Sequence, residues 1–122
     1  MTSEEQLIQR YFDAFNRHDI EGLMACFHEN PRIEDPEGKC FEGRDAVRRN
    51  YETAFALMPD CRCDLRSFTG NSGHAMAESY FHGTAQRSGK VVQGVGAEVM
   101  EIVDGKIKEI RDYHRQIPAQ AA

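Results

Sequence analysis

Residues 75–115 read AMAESYFHGTAQRSGKVVQGVGAEVMEIVDGKIKEIRDYHR, and residue character along this stretch changes with a period of two. Ala75, Ala77, Ser79 and Phe81 alternate with Met76, Glu78, Tyr80 and His82, as they must if successive side chains of an extended chain face opposite sides of a sheet. Ser88-Gly89 and Asp104-Gly105 are turn pairs, so the stretch divides into strands over 75–86, 91–103 and 107–115. A strand over 61–69 precedes them, cut off by Gly70-Asn-Ser-Gly73. These four strands, joined by short turns, form an antiparallel meander.

Upstream the period is helical. Ser3-Glu-Glu-Gln6 has the form of a capping box, and Leu7, Tyr11, Ala14 and Phe15 follow at spacings of three and four. Asn16-Arg-His-Asp19 interrupts that helix. Ile20, Leu23, Met24 and Phe27 then draw a second short stripe that ends before Asn30-Pro31. A short strand over 32–35 stops at Pro36-Glu-Gly38, and Gly43-Arg-Asp45 opens a third helix with Val47, Tyr51, Ala54, Phe55 and Met58 on one side. Pro59-Asp60 closes it. Helices segregated from a mostly antiparallel sheet define an α+β fold.

The length of 122 residues, 40% of them apolar and including seven Phe and four Tyr, predicts one domain over 1–122 with one core. The net charge of −5 is spread along the chain, and the longest basic run is Arg48-Arg49. Nucleic acid is therefore not an expected partner. No segment approaches the apolar length of a membrane span, and Met1-Thr-Ser-Glu-Glu5 has acid where a secretory leader has base, so a cytoplasmic location without membrane contact is expected. Cys26, Cys40, Cys61 and Cys63 are then thiols, most of them packed. Five scattered histidines lack ligand spacing, so no metal is expected, and the absence of a glycine-rich phosphate loop implies no organic cofactor. The tail 119–122 is expected to fray.

The segment 9–38, QRYFDAFNRHDIEGLMACFHENPRIEDPEG, resembles the opening of bacterial ketosteroid isomerase, in the nuclear-transport-factor-2-like superfamily that also holds the SnoaL-type polyketide cyclases. The likeness extends through FEGRDAV at 41–47 and DGKIKEI at 104–110. It implies a cone-shaped, cystatin-like fold with three helices packed on a curved sheet around a pocket. It also implies a homodimer and a small apolar ligand. Tyr11 falls on the isomerase's oxyanion tyrosine, Asp35 on its general base, and Glu98 on the strand position of its second, protonated acid. That chemistry needs a carboxylate to move a proton next to a carbonyl, with donors opposite it for the enolate oxygen. Asp112 and His114 depart from the isomerase, whose pocket is apolar there. Cyclases and epoxide hydrolases of the superfamily carry polar groups near that place.

The residues themselves leave alternatives. Tyr11 lies on an apolar helix stripe, where a tyrosine also serves simply as core. Asp35 before Pro36 is also ordinary turn chemistry. Glu98, among Val91, Val92, Val95, Val99, Met100, Ile102 and Val103, is either exposed or buried with a raised pKa. His18 and His28 read as loop residues, His74 and His82 as outer-face residues. Asp112 and His114 form one parity with Lys108 and Ile110; Ile107, Glu109, Arg111 and Tyr113 form the other. A two-residue turn at Asp104-Gly105 would oppose Glu98 to Arg111. A three-residue loop with a glycine bulge would send Asp112 inward. The resemblance favours the inward placement of Ile110, Asp112 and His114. Met76, Tyr80 and Ile107 then form an apolar patch on the outer face. The core-facing row Ala75, Ala77, Ser79 and Phe81 is small for its place and leaves volume for a ligand cavity, unless helix side chains such as Phe15 and Phe55 fill it. Phe15, Phe55, Phe81, Met100, Ile110 and His114 are the expected substrate-contacting residues. The reaction implied is proton transfer at a carbon acid. The alternatives are a non-catalytic binding or dimerisation module, or a hydrolase or dehydratase in which Asp112 or Glu98 activates water.

Overall fold

The computed structural model describes residues 1–118, so the tail at 119–122 lies outside the described residues. The chain runs α1 (Ser3–Asn16), α2 (Ile20–Met24), β1 (Phe27–Glu34), β2 (Cys40–Glu42), α3 (Arg44–Leu57), β3 (Arg62–Asn71), β4 (His74–Thr84), β5 (Val91–Val103), β6 (Lys106–Asp112) and β7 (Arg115–Ile117). Three helices lie on one face of a curved, unclosed sheet in the order β2-β1-β6-β5-β4-β3, with β7 also paired to β5. Among the described residues, only β1 and β6 pair in parallel. This is the α+β cone expected of the nuclear-transport-factor-2-like fold.

The helix stripes and the inner sheet parity meet in one core. Leu7, Ile8, Phe12 and Phe15 of α1 and Val47 and Tyr51 of α3 are buried against Ala75, Ala77, Met100, Ile107 and Ile110 of the sheet. The capping box is one residue earlier than the sequence pattern placed it: Thr2 is the N-cap, its hydroxyl accepts the Glu5 backbone N–H, and the Glu5 carboxylate accepts the Thr2 backbone N–H. Ser3 begins the helix instead. Phe27, read as the end of the second helical stripe, opens β1, which starts earlier than the expected strand at 32–35. β2 and β7, three residues each, are too short to leave a period in the sequence.

One residue of β6 sets which side chains face inward. The Asp104-Gly105 turn has two residues, both with positive φ, and pairs Val103 with Lys106 and Ile102 with Ile107. A bulge then leaves Lys108 without a partner, because Glu101 pairs with Glu109 and Glu98 with Asp112. The turn is the two-residue one, yet the bulge sends Asp112 inward as a three-residue loop would, and Ile110 faces Met100. The expected placement of Ile107 on the outer face is corrected by the same bulge: Ile107 lies before it and Ile110 after it, yet both are buried in the core. The outer face carries Met76 and Tyr80 without it.

Candidate active site

A cavity of about 580 Å³ opens between the inner face of the sheet and helices α1 and α3. Phe12, Phe15, Ile33, Ala54, Phe81 and Ile110 give it apolar walls, and its polar groups fall into three sets.

The first set lies on the sheet side. β5 carries Glu98, 5% exposed, and the end of β6 and the residues just after it bring Asp112 and His114 beside it. Asp112 Oδ1 accepts from the His114 backbone N–H at 3.0 Å and bonds the ring Nδ1 at 2.6 Å. That carboxylate fixes the imidazole with its Nδ1 proton on the Asp112 side and its Nε2 pointing toward β4. There Ser79 Oγ lies 2.9 Å from His114 Nε2 and 3.0 Å from each oxygen of Glu98. Cys63 Sγ of β3 lies 3.2 Å from the same hydroxyl.

His114 can reach Ser79 because Gly96 has no side chain. A Cβ on Gly96 would stand 2.5 Å from the His114 Cα and 2.5 Å from the Tyr113 carbonyl oxygen. Both are backbone atoms with little freedom to move aside.

Burial pushes the Glu98 carboxyl up to about 7; the His114 charge and the Ser79 hydroxyl partly oppose the rise, and the Asp112 charge adds to it. For His114, burial favours the neutral ring, but the Asp112 hydrogen bond and charge together with Glu98 outweigh it, so its pKa is raised. A carboxyl that titrates near neutrality can both give and take a proton at working pH.

The second set is on the helices. Tyr11 of α1 and Tyr51 of α3 line the cavity with their hydroxyls 2.7 Å apart. Either can be the donor. Two hydroxyl protons serve one bond between them, so one O–H remains to donate to a ligand. Burial raises both phenols, and the Glu98 charge adds to the effect in each, which keeps them neutral donors. Tyr51 has no role beyond helix packing in the sequence reading, because a tyrosine on an apolar stripe is explained equally well as core.

The third set is at the mouth. Asp35 lines the cavity beside Pro36 and Glu37. Its Oδ1 accepts the backbone N–H of Glu37 at 3.0 Å and of Lys39 at 2.9 Å, which closes the turn between β1 and β2. The turn role and the site position therefore coexist in one side chain, whose two turn bonds both fall on Oδ1.

Tyr11, Asp35, Glu98 and Asp112 thus border one cavity, as do Phe15, Phe81, Ile110 and His114. Met100 and Phe55 are not wall residues. Met100 is fully buried in the core on the inner face of the sheet, opposite Ile110. Phe55 supports Phe15 from behind, with ring centroids 5.2 Å apart, and stacks on His18 at 4.1 Å. His18 is accordingly a packed residue of the α1–α2 corner, its Nε2 2.8 Å from the Cys61 carbonyl oxygen. Among the described residues, Cys63, Glu98 and His114 bring potential metal-ligand atoms within 4.8 Å of one another. The Ser79 hydroxyl already bonds to all three, so hydrogen bonds complete that cluster. The four cysteines are free thiols.

Fold and cavity together define a nuclear-transport-factor-2-like pocket protein. The sequence pattern of the SnoaL-like domain matches residues 8–110, and the chain belongs to that family. Solved structures share the fold at low identity. A nuclear-transport-factor-2-like protein from Burkholderia pseudomallei is 17% identical, with 96% of this chain and 92% of that one covered and a TM-score of 0.82. A protein with a ketosteroid isomerase-like fold from Catenulispora acidiphila, solved with trimethylamine, is 12% identical, with coverages of 86% and 82% and a TM-score of 0.78. TerC, co-crystallised with polyporic acid, is 16% identical, with coverages of 95% and 92% and a TM-score of 0.80. A search of curated proteins returns no match. No helix among the described residues is long and apolar enough to cross a membrane.

Proposed function

We propose that the chain binds a small cyclic, largely apolar carbonyl compound in this cavity and moves a proton at the carbon next to the carbonyl. One observation carries the reading: a titratable acid cluster on the sheet and a hydroxyl pair on the helices border the same apolar cavity. Enolate formation needs this division of labour, with an acceptor for the carbon proton and a neutral donor for the oxygen that gains charge. Tyr11, held by Tyr51, is the oxyanion donor. Glu98 is the buried acid–base group, and Asp35, through the oxygen that the turn does not use, is the proton acceptor at the mouth. Asp112 assists by holding His114. That related folds were solved with trimethylamine and with polyporic acid supports a cavity for small molecules.

A homodimer through the outer sheet face accompanies this reading, because Met76 stands 47% exposed there and an open sheet otherwise leaves it in water.

The test is turnover of cyclic enones and β-keto esters by variants. Asp35→Asn and Glu98→Gln each lower kcat by two orders of magnitude or more, on the scale of about 10²–10⁴ for general acid–base groups, while ligand binding survives. Asp112→Asn has a smaller effect in proton transfer and a large one if water is the nucleophile. Full activity in Asp35→Asn removes it as the base. Binding without turnover in the wild type leaves a binding module.

A further inference from the structure

The most enclosed part of the site is Ser79, which does not line the cavity between sheet and helices yet touches Glu98, His114 and Cys63. It lies on β4 opposite Gly96, 2% exposed, with Oγ at 2.9 Å from His114 Nε2, 3.0 Å from both Glu98 oxygens and 3.2 Å from Cys63 Sγ. A serine hydroxyl has one proton to give and two lone pairs to accept with. It therefore cannot donate to Glu98 and to His114 at once.

We propose that Ser79 is a proton relay through which Glu98 and the His114–Asp112 pair share one mobile proton. Asp112 Oδ1 holds the Nδ1–H, so only Nε2 changes state. In one form Glu98 is protonated and donates to Ser79 Oγ, whose own proton is donated to the Nε2 lone pair of neutral His114. In the other, the Glu98 proton has passed to Oγ and the serine proton to Nε2, leaving a carboxylate and an imidazolium with every bond reversed. Charge and atoms balance, and no heavy atom needs to leave its place. Removing the shared proton leaves two buried acceptors facing a single hydroxyl proton, and an unsatisfied buried acceptor costs about 1–3 kcal/mol. The unit therefore binds its proton more tightly than an exposed carboxyl would.

The groups that face this unit are Cys63 from β3, Tyr11 from α1 and Tyr51 from α3, together with Asp112. The three hydroxyl and thiol groups are held neutral by burial, so they do not compete for the proton in the neutral range. The inference deepens the proposed proton-transfer reading, for which a relay through Ser79 to His114 would let Glu98 be reset between turnovers, and Ser79 acts in it as a positioning residue.

The test needs no substrate, so its failure is distinguishable from failure of that reading. The Glu98 side-chain carboxyl carbon and the His114 Nε2 are followed by NMR across a pH titration of the whole chain. In the wild type each nucleus reports the other's step, as coupled sites do. In Ser79→Ala the His114 Nε2 loses the step centred on the Glu98 midpoint, and Ser79→Thr, which keeps the hydroxyl, restores it. Amide spectra that overlay those of the wild type establish that the variants are folded. If Ser79→Ala does not fold, the wild type and Ser79→Thr decide, since a His114 Nε2 blind to the Glu98 step in either overturns the relay. Full retention of the shared step in folded Ser79→Ala also overturns it, because the coupling would then be electrostatic alone.

Discussion

Replacing Glu98 with Gln should flatten the pH dependence of stability. An acid whose pKa is raised on folding binds its proton more tightly in the native state than in the unfolded one. Stability is then greatest at low pH and falls as pH rises from the unfolded value toward and past the folded one. For Glu98 that window runs from 4.5 to about 7, and the gap corresponds to roughly 3 kcal/mol at most, from about 1.36 kcal/mol per pH unit. His114, with its pKa raised above 6.5, works in the same direction: its contribution is present below 6.5 and lost as pH rises through its folded value. Glu4, Glu5, Glu21, Glu101 and Asp60 are lowered and act oppositely, losing their contributions only as pH falls through their own values, below 4.5. The stability maximum should therefore lie on the acid side of neutrality. Glutamine keeps the shape of the protonated acid and can still bond Ser79, so Glu98→Gln removes the Glu98 part and weakens the His114 part with it. Urea unfolding at a series of pH values reads this directly. A wild-type stability flat from pH 5 to pH 8, or a Gln variant with the full wild-type slope, refutes the burial of a titrating Glu98.

Gly96→Ala should cost about 3 kcal/mol or more in urea unfolding, from overpacking against backbone at 113–114 and loss of the buried His114–Ser79 bond; a change under about 1 kcal/mol, the size of an ordinary surface substitution or less, contradicts the close crossing. Deleting Lys108 removes the bulge but keeps Glu101 opposite Glu109 and Glu98 opposite Asp112, so the Asp112–His114 pair should stay at the cavity and the His114 Nε2 signal should keep its Glu98-linked step; loss of that step contradicts the register. Light scattering at micromolar concentration should give twice the chain mass, and Met76→Glu should return it to one; a monomeric wild type contradicts the outer-face dimer.

The elements with long, strong periods were legible in the sequence. The stripe Leu7–Tyr11–Phe15 and the alternation through 75–81 place their side chains where the structure has them. Features set by single residues were not. Lys108 is one extra residue in a strand whose two parities both mix apolar and charged side chains, so no pattern marks the bulge that turns both Ile107 and Ile110 inward. Tyr51 and Ser79 are explained as a stripe residue and a small inward-facing residue until Tyr11 and Glu98 are seen beside them. Gly96 did carry a signal, since a glycine inside a strand marks a close approach, but what approaches it lies 17 or 18 residues later in the chain, at 113–114.

The central claim is that Glu98 and Tyr11 act on one bound carbon acid, and the most direct measurement is exchange of ring protons next to the carbonyl of a cyclic enone, followed by NMR in deuterium oxide with catalytic protein. Exchange should be accelerated by the wild type and lost in Glu98→Gln, with Tyr11→Phe between them because Tyr51 still offers a hydroxyl. Exchange in Glu98→Gln at the wild-type rate, with the ligand bound in the cavity, would contradict the account.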